Sequence, residues 1–243
     1  MKTRIKSLVE DYKLLLRNVP SLIISMMVLS TVLMNIMANK VIFQWGDMLT
    51  ADGGFLLSWI PFLCMDIVTK RFGAKAAIQL NIFSAFVNLC CVGLFDLVVL
   101  MPGNGEDFSA FDSIFGSTGF ILLGSMTAFI VSGIANSLIN AFIGVLLRGS
   151  NDKVEYVCRT YISTFIGQFL DNFIFSFIVF YVFAPIFWGW GFTILLCIGS
   201  SILGAIMELI MEVVFSPIGY KVCKHMKQQG IGDEYLEREG IVE

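Results

Sequence analysis

Apolar residues run almost unbroken through five stretches of the chain, at about 19–44, 76–101, 119–147, 156–184 and 190–216. Each is long enough to cross ~30 Å of hydrocarbon as a helix of ~20 residues, so each predicts a membrane span. A sixth run, 54–69, is shorter and contains Pro61; it predicts either a compact span or a partly broken one. Inside the runs, polar residues recur every three or four positions, which places them on one face of a helix. The first span carries Thr31, Asn35 and Asn39, the third Asn81, Ser84 and Asn88, and the fourth Ser132, Asn136 and Asn140. The fifth carries Thr164, Gln168, Asp171 and Asn172, and the sixth Ser201, Gly204, Glu208 and Glu212. Stripes that cannot face lipid must face one another or water.

Composition agrees with this pattern. Of 243 residues, 57% are hydrophobic and only 14% charged, with 23 phenylalanines and a mean hydropathy of +0.82, too apolar for a soluble domain of this length. The basic residues then set the topology, because Lys and Arg collect on the cytoplasmic side during insertion. Fifteen of the 16 fall into four clusters: Lys2, Arg4, Lys6, Lys13 and Arg17; Lys70, Arg71 and Lys75; Arg148, Lys153 and Arg159; Lys221, Lys224, Lys227 and Arg238. The three intervening loops hold only Lys40 beside Asp47, Asp52, Glu106, Asp107 and Asp112. This alternation predicts an all-α integral membrane protein of six transmembrane helices with both termini cytoplasmic, provided that the 54–69 run crosses.

Three regions follow: a basic N-terminal segment 1–18, a six-helix membrane domain 19–218 and a cytoplasmic tail 219–243. The first apolar run exceeds a signal-peptide core of ~7–15 residues and no A-x-A-like site follows it, so it is expected to be retained as a span. The external loop 102–118, "PGNGEDFSAFDSIFGST", has turn signals and three phenylalanines that predict folding back onto the membrane surface. The acidic stretch 230–243 predicts a mobile tail. The six cysteines lie in or beside spans without zinc-like pairs, as small packing residues do. The sequence holds no G-x-x-x-x-G-K-[ST] phosphate loop. Neither a metal nor a cofactor is expected.

Energy separates the candidates. An ionisable residue in mid-span costs ~2.5–3.5 kcal/mol on insertion scales, whereas Asn, Ser and Thr serve as interhelical glue at ~0.6 kcal/mol each. Asp171 near the middle of the fifth span and Glu208 well inside the sixth therefore point to a functional cavity. Asp66 and Glu212 lie nearer the cytoplasmic ends, where water lowers the cost. Gln168, Asn136, Asn88 and Asn39 are the neutral candidates beside them. Lys70, Arg71 and Lys75 are most simply topology determinants.

Three stretches carry a resemblance: "ANKVI" (Ala38 to Ile42), "IPFLCMDIVTKRFGAKAA" (Ile60 to Ala77) and "STFIGQFLDNFIF" (Ser163 to Phe175). In this order they resemble the signatures of the VUT family, the queuosine precursor transporters, over roughly residues 20–220. The resemblance implies a six-helix bacterial inner-membrane protein that takes up a 7-deazaguanine, such as 7-cyano-7-deazaguanine or its aminomethyl relative. By position, the family's Asp before its [FY]-G turn is Asp66, the turn is Phe72 and Gly73, and the buried polar pair of the fifth helix is Gln168 and Asp171. The chain departs from the family's pattern at Lys70, where many members have Glu, and at Asn172, where Ser or Thr is usual. It departs again at Glu208, where many members carry a Lys about nine residues before a Pro, here Pro217.

A purine-like ligand suits these residues. Its N1–H and 2-amino groups are parallel donors that one carboxylate accepts bidentately, and its carbonyl takes an amide donor. Asp171, or alternatively Glu208, is expected to grip the donor edge, with Gln168, Asn136 and Asn88 completing the hydrogen bonds and a phenylalanine covering the ring. Glu208 or Asp171 is also a candidate proton carrier, and Pro61 a candidate flexible point. The expected partners are this small molecule, the lipid bilayer and a second copy in a homo-oligomer, with no nucleic acid. Three other functions fit less well. A substrate-capture subunit of an energy-coupling factor vitamin transporter is also a small six-helix protein, but depends on separate ATPases. An intramembrane aspartyl protease using Asp66 and Asp171 would lack its G-x-G-D signature, and the chain is not expected to be an enzyme. A membrane scaffold would use the stripes only as glue.

Overall fold

The computed structural model describes residues 2–37, 40–45, 49–105, 107–115, 119–187 and 189–240. Nearly all of them are helical. Helix α1 (Lys2–Asn18) is followed by α2 (Ser21–Met37), α3 (Phe55–Phe72), α4 (Ala74–Val99), the short α5 (Ser109–Phe115) and α6 (Gly119–Leu146). Helix α7 (Asp152–Ser176) continues through a π-helical segment (Phe177–Phe183) into the four-residue α8 (Ala184–Phe187). The long α9 (Ile194–Gln228) and the short α10 (Asp233–Glu239) complete the chain.

One element departs from the all-α expectation. Strands β1 (Val41–Trp45) and β2 (Leu49–Asp52) pair antiparallel between α2 and α3. The first apolar run therefore ends as a strand rather than continuing as helix. Val41, Ile42, Phe43 and Trp45 are β-branched or aromatic and suit a pleated ribbon. Gly53 fixes the hairpin against α2: its N–H donates to Lys40 O at 2.8 Å, and a Cβ there would lie 2.7 Å from Met37 O.

Among the described residues, four helices are long and apolar enough to cross a membrane, those beginning at Ala74, Leu123, Asp152 and Ile194. A fifth results if α1 and α2, bent by 100° at residues 19–20, count as one span. Helix α2 has only 17 residues, and α3 has 18 with Asp66, Lys70 and Arg71 among them, so neither reaches that standard alone. Helix α3 is unbroken at Pro61, which lies inside it in its second turn. Helix α9, at 35 residues, measures about 52 Å, far more than the hydrocarbon core needs.

Burial is inverted relative to a soluble domain. Leu22, Leu94, Phe142, Val145 and Leu195 are all more than 60% exposed, while Asn81, Ser84, Ser132, Asn136, Asn140 and Ser163 are fully enclosed. Apolar side chains outward and polar side chains inward is the arrangement that lipid imposes on a bundle. The stripes do meet. Ser84 Oγ donates to Thr31 Oγ1 at 3.0 Å between α4 and α2, Ser125 Oγ donates to Asn35 Oδ1 at 3.0 Å between α6 and α2, and Asn81 Nδ2 donates to Phe129 O at 3.2 Å between α4 and α6. Helix α7 packs along α6 on one side and α9 on the other, and α3 touches all three.

In the described part of the loop 102–118, helix α5 folds back onto α4. Helix α5 sets Phe115 against Phe95 of α4, with ring centroids 4.9 Å apart. The acidic tail does not match the expectation of mobility. Its helix α10 is docked on the basic end of the bundle, with Tyr235 and Leu236 buried and Tyr235 edge-on to Phe72 at 6.0 Å. Asp233 pairs with Arg71 at 2.5 Å, Glu239 with Lys75 at 2.7 Å, Glu234 with Arg17 at 2.8 Å and Arg238 with Asp11 at 2.7 Å. The tail's charges, which alone suggest solvation, complement the basic clusters of α1, α3 and α4.

Candidate functional site

Two polar layers lie inside the bundle. The first centres on Asp66, which is fully enclosed. Its Oδ1 accepts hydrogen bonds from Asn136 Nδ2 at 2.9 Å, Asn140 Nδ2 at 2.8 Å and Ser163 Oγ at 3.3 Å, and its Oδ2 accepts one from Thr164 Oγ1 at 3.2 Å. Asn136 and Asn140 are one turn apart on α6, and Ser163 and Thr164 are neighbours on the facing side of α7, so periodicity brings all four to one carboxylate. Arg159 completes the layer, donating through Nε to Asn140 Oδ1 at 2.7 Å and through Nη1 to Glu155 Oε1 at 3.0 Å. Gly144 makes room for it, since a Cβ there would lie 2.6 Å from Arg159 Nη1. Arg159, read from sequence as a topology determinant, is a buried member of this network. Its spacing with Ser163, one turn on, was the available signal.

The second layer centres on Glu208, 6% exposed. Ser58 Oγ of α3 donates to its Oε1 at 2.7 Å, and Asn172 Nδ2 of α7 donates to its Oε2 at 3.3 Å. Gln168, one turn before Asn172, reaches Ser58 O through Nε2 at the long distance of 3.5 Å. Its Oε1 is buried without a hydrogen-bond partner. Gly204, one turn before Glu208, lets α7 and α9 approach here, because a Cβ would lie 2.9 Å from Asn172 Nδ2. Next in sequence to Ser58 and two turns on from Glu208, the rings of Trp59 and Phe215 stack with centroids 4.0 Å apart and planes within 9°. Ser58 was not among the sequence candidates, because nothing in the short 54–69 run singles out one serine.

The other candidates are distributed around these layers. Asp171 turns away from Glu208 and accepts from Ser132 Oγ of α6 at 2.7 Å. Gln168, Asp171 and Asn172 therefore engage three different helices, α3, α6 and α9. Asn136 uses its amide nitrogen on Asp66, and its Oδ1 is buried without a partner. Asn88 is buried on α4, which packs on α2, α3 and α6 rather than on α9, and its Oδ1 also has no partner. Asn39 lies outside the described residues. A surface depression of about 670 Å³ lies at the α4–α5 end, lined by Val98, Met101, Phe108 and Asp112 among others, and no stripe residue borders it. The described residues contain no cluster of His, Cys, Asp and Glu able to hold a metal.

An apolar bundle with converging, partly unsatisfied polar groups in its interior is suited to binding a small polar solute within the membrane. Comparison with known proteins agrees. No curated protein and no solved structure matches the chain. Residues 52–222, more than half of the sequence, match the family described as "Putative vitamin uptake transporter". That segment contains α3 to most of α9, and so both polar layers. The chain belongs to this vitamin uptake transporter family, the VUT family that its signatures resemble.

Proposed function

We propose that this protein imports a queuosine precursor, 7-cyano-7-deazaguanine or a related 7-deazaguanine, across the bacterial inner membrane. It does so as a six-span bundle with both termini cytoplasmic and the docked basic end facing the cytoplasm. The observation that carries the proposal is the enclosed Glu208 carboxylate, met by Ser58 of α3 and Asn172 of α7 with the open amide of Gln168 beside it. In this mechanism the Glu208 carboxylate accepts the ligand's N1–H and 2-amino groups in place of Ser58 and Asn172. Exchanging neutral donors for the ligand's parallel pair keeps the buried charge satisfied throughout. Gln168 Nε2 leaves its long contact with Ser58 O to donate to the ligand carbonyl. Trp59 and Phe215, on the same side of α3 and α9, part to cover the heterocycle.

Asp171 serves as a second carboxylate on the α6 side of α7, reached as the ligand moves past Gln168, with Asn136 Oδ1 and Asn88 Oδ1 as further acceptors. Substituting Asp171 by Asn is expected to abolish uptake while leaving the protein in the membrane. The binding role of Asp171 is wrong if that variant transports normally.

The test is uptake of labelled 7-deazaguanines, with guanine as competitor, in cells deleted for their own transporter and for queuosine precursor synthesis. The host should also lack energy-coupling factor ATPases. Uptake there supports an autonomous importer; uptake only when such ATPases are supplied favours a substrate-capture subunit. Failure with every deazapurine, in well-expressed protein, counts against this substrate.

A further inference from the structure

Glu212 is used by neither layer described above. It lies on α9 one turn beyond Glu208, is 0% exposed, and has no hydrogen-bond partner at either carboxyl oxygen. The usual explanation of a buried glutamate is that it is paired, and this one is not. Asp66 and Cys64 of α3 and Tyr156 of α7 lie within electrostatic range of it. Two cations of this region are already engaged: Arg159 is bonded to Asn140 and Glu155, and Lys70, over the Tyr156 ring, pairs with Asp152 and Glu155.

Two fully enclosed carboxyl groups thus stand under very different conditions. Asp66 has four donors to spread a negative charge over, while Glu212 has none. Charging both would place two anions in a low-dielectric interior, where Arg159 and Lys70 are already engaged, Arg159 with Asn140 and Glu155 and Lys70 with Asp152 and Glu155. A charge on Asp66 would meet four donors, whereas a charge on Glu212 would meet none.

We propose that Glu212 is the proton-binding site that couples uptake to a proton gradient. This rests on the transport function proposed above and adds its energy source. Movement of α3 against α9 that opens the Glu208 layer also breaks the enclosure of Glu212, because Glu212 lies one turn on from Glu208 on the face of α9 that meets Ser58 of α3. On exposure to the basic end, the Glu212 O–H bond breaks, the proton passes to water and the carboxylate is left solvated. On exposure to the opposite side, the carboxylate takes a proton from water before it is enclosed again. One proton moves with each ligand, and no other reactant is needed.

Two measurements test this. In purified protein at neutral pH, infrared spectroscopy is expected to find a carboxylic-acid C=O band that disappears in Glu212→Gln and persists in Glu212→Asp. Identical spectra for wild type and Glu212→Gln overturn the proposal whatever the substrate is. In proteoliposomes, an acid-outside gradient is expected to drive wild-type accumulation of 7-cyano-7-deazaguanine up to about tenfold per pH unit, the limit for one proton per ligand. Glu212→Gln is expected to exchange internal for external label but lose this accumulation. Wild-type exchange that ignores the gradient, or a gradient response retained in Glu212→Gln, removes the coupling role and leaves the transport function standing. Absence of exchange in wild type removes the substrate instead, and the infrared result still decides Glu212.

Discussion

Glu208 and Glu212 stand one helical turn apart on α9, yet Glu208 Oε1 accepts a 2.7 Å hydrogen bond from Ser58 while neither oxygen of Glu212 has a partner. The difference comes from what each faces. Glu208 meets Asn172 and Ser58, two neutral donors able to give way to a ligand, whereas Glu212 has only the electrostatic influence of Asp66, whose donors are already committed.

The approach of α7 to α9 at Gly204 sets the position of Asn172. Gly204→Ala places a methyl group 2.9 Å from Asn172 Nδ2, so the amide must leave Glu208. Because the ligand's donors take the place of Asn172 at Glu208, losing this charge-assisted hydrogen bond of about 1.5 kcal/mol weakens only the unliganded state, and the variant is expected to lower the KM for uptake about tenfold. Asn172→Ala should match it. Kinetics of labelled uptake decide the matter, and an unchanged KM in both variants contradicts this role of Asn172.

The Asp66 layer is expected to matter more for stability than for affinity. Asp66→Ala leaves the amide donors of Asn136 and Asn140 enclosed without an acceptor, a loss of about 3 kcal/mol, whereas Asp66→Asn keeps an acceptor and should cost about half as much. Thermal unfolding of the purified protein should show a large drop in Tm for the first and a smaller one for the second. A variant with normal Tm and lost ligand binding would instead make Asp66 a ligand contact.

The docked tail leads to a third expectation. Tyr235 is 1% exposed against Phe72, and Arg71 is buried between Asp233 and Ile231 O. Tyr235→Ala should therefore undock α10 at a cost of about 3 kcal/mol. High salt should weaken docking only slightly, because the exposed Arg17–Glu234 and Lys75–Glu239 pairs contribute less than about 1 kcal/mol each. Protease sensitivity of residues 229–240 reads both effects. Equal resistance in wild type and Tyr235→Ala contradicts the docking.

Which parts of this were visible in the sequence follows from the range of the forces involved. Polar residues every third or fourth position in apolar runs reveal buried stripes, because helical periodicity is local. Which stripe meets which is not local. Asp171 and Asn172 are adjacent, so they point about 100° apart, and only the placement of α6 and α9 sends one to Ser132 and the other to Glu208. The strand Val41–Trp45 was hidden because it closes the long apolar run 19–44, whose length alone reads as one helical span. The docking of α10 was hidden because its partners Arg71 and Arg17 lie more than 160 residues away.

The most direct measurement is a binding comparison between 7-cyano-7-deazaguanine and its analogue lacking the 2-amino group, made on wild-type protein and on Glu208→Gln. If Glu208 grips the donor edge, wild type binds the complete ligand at least about tenfold more tightly than the analogue, and Glu208→Gln binds both equally weakly. Discrimination that survives in Glu208→Gln, in folded protein, contradicts a ligand site centred on Glu208.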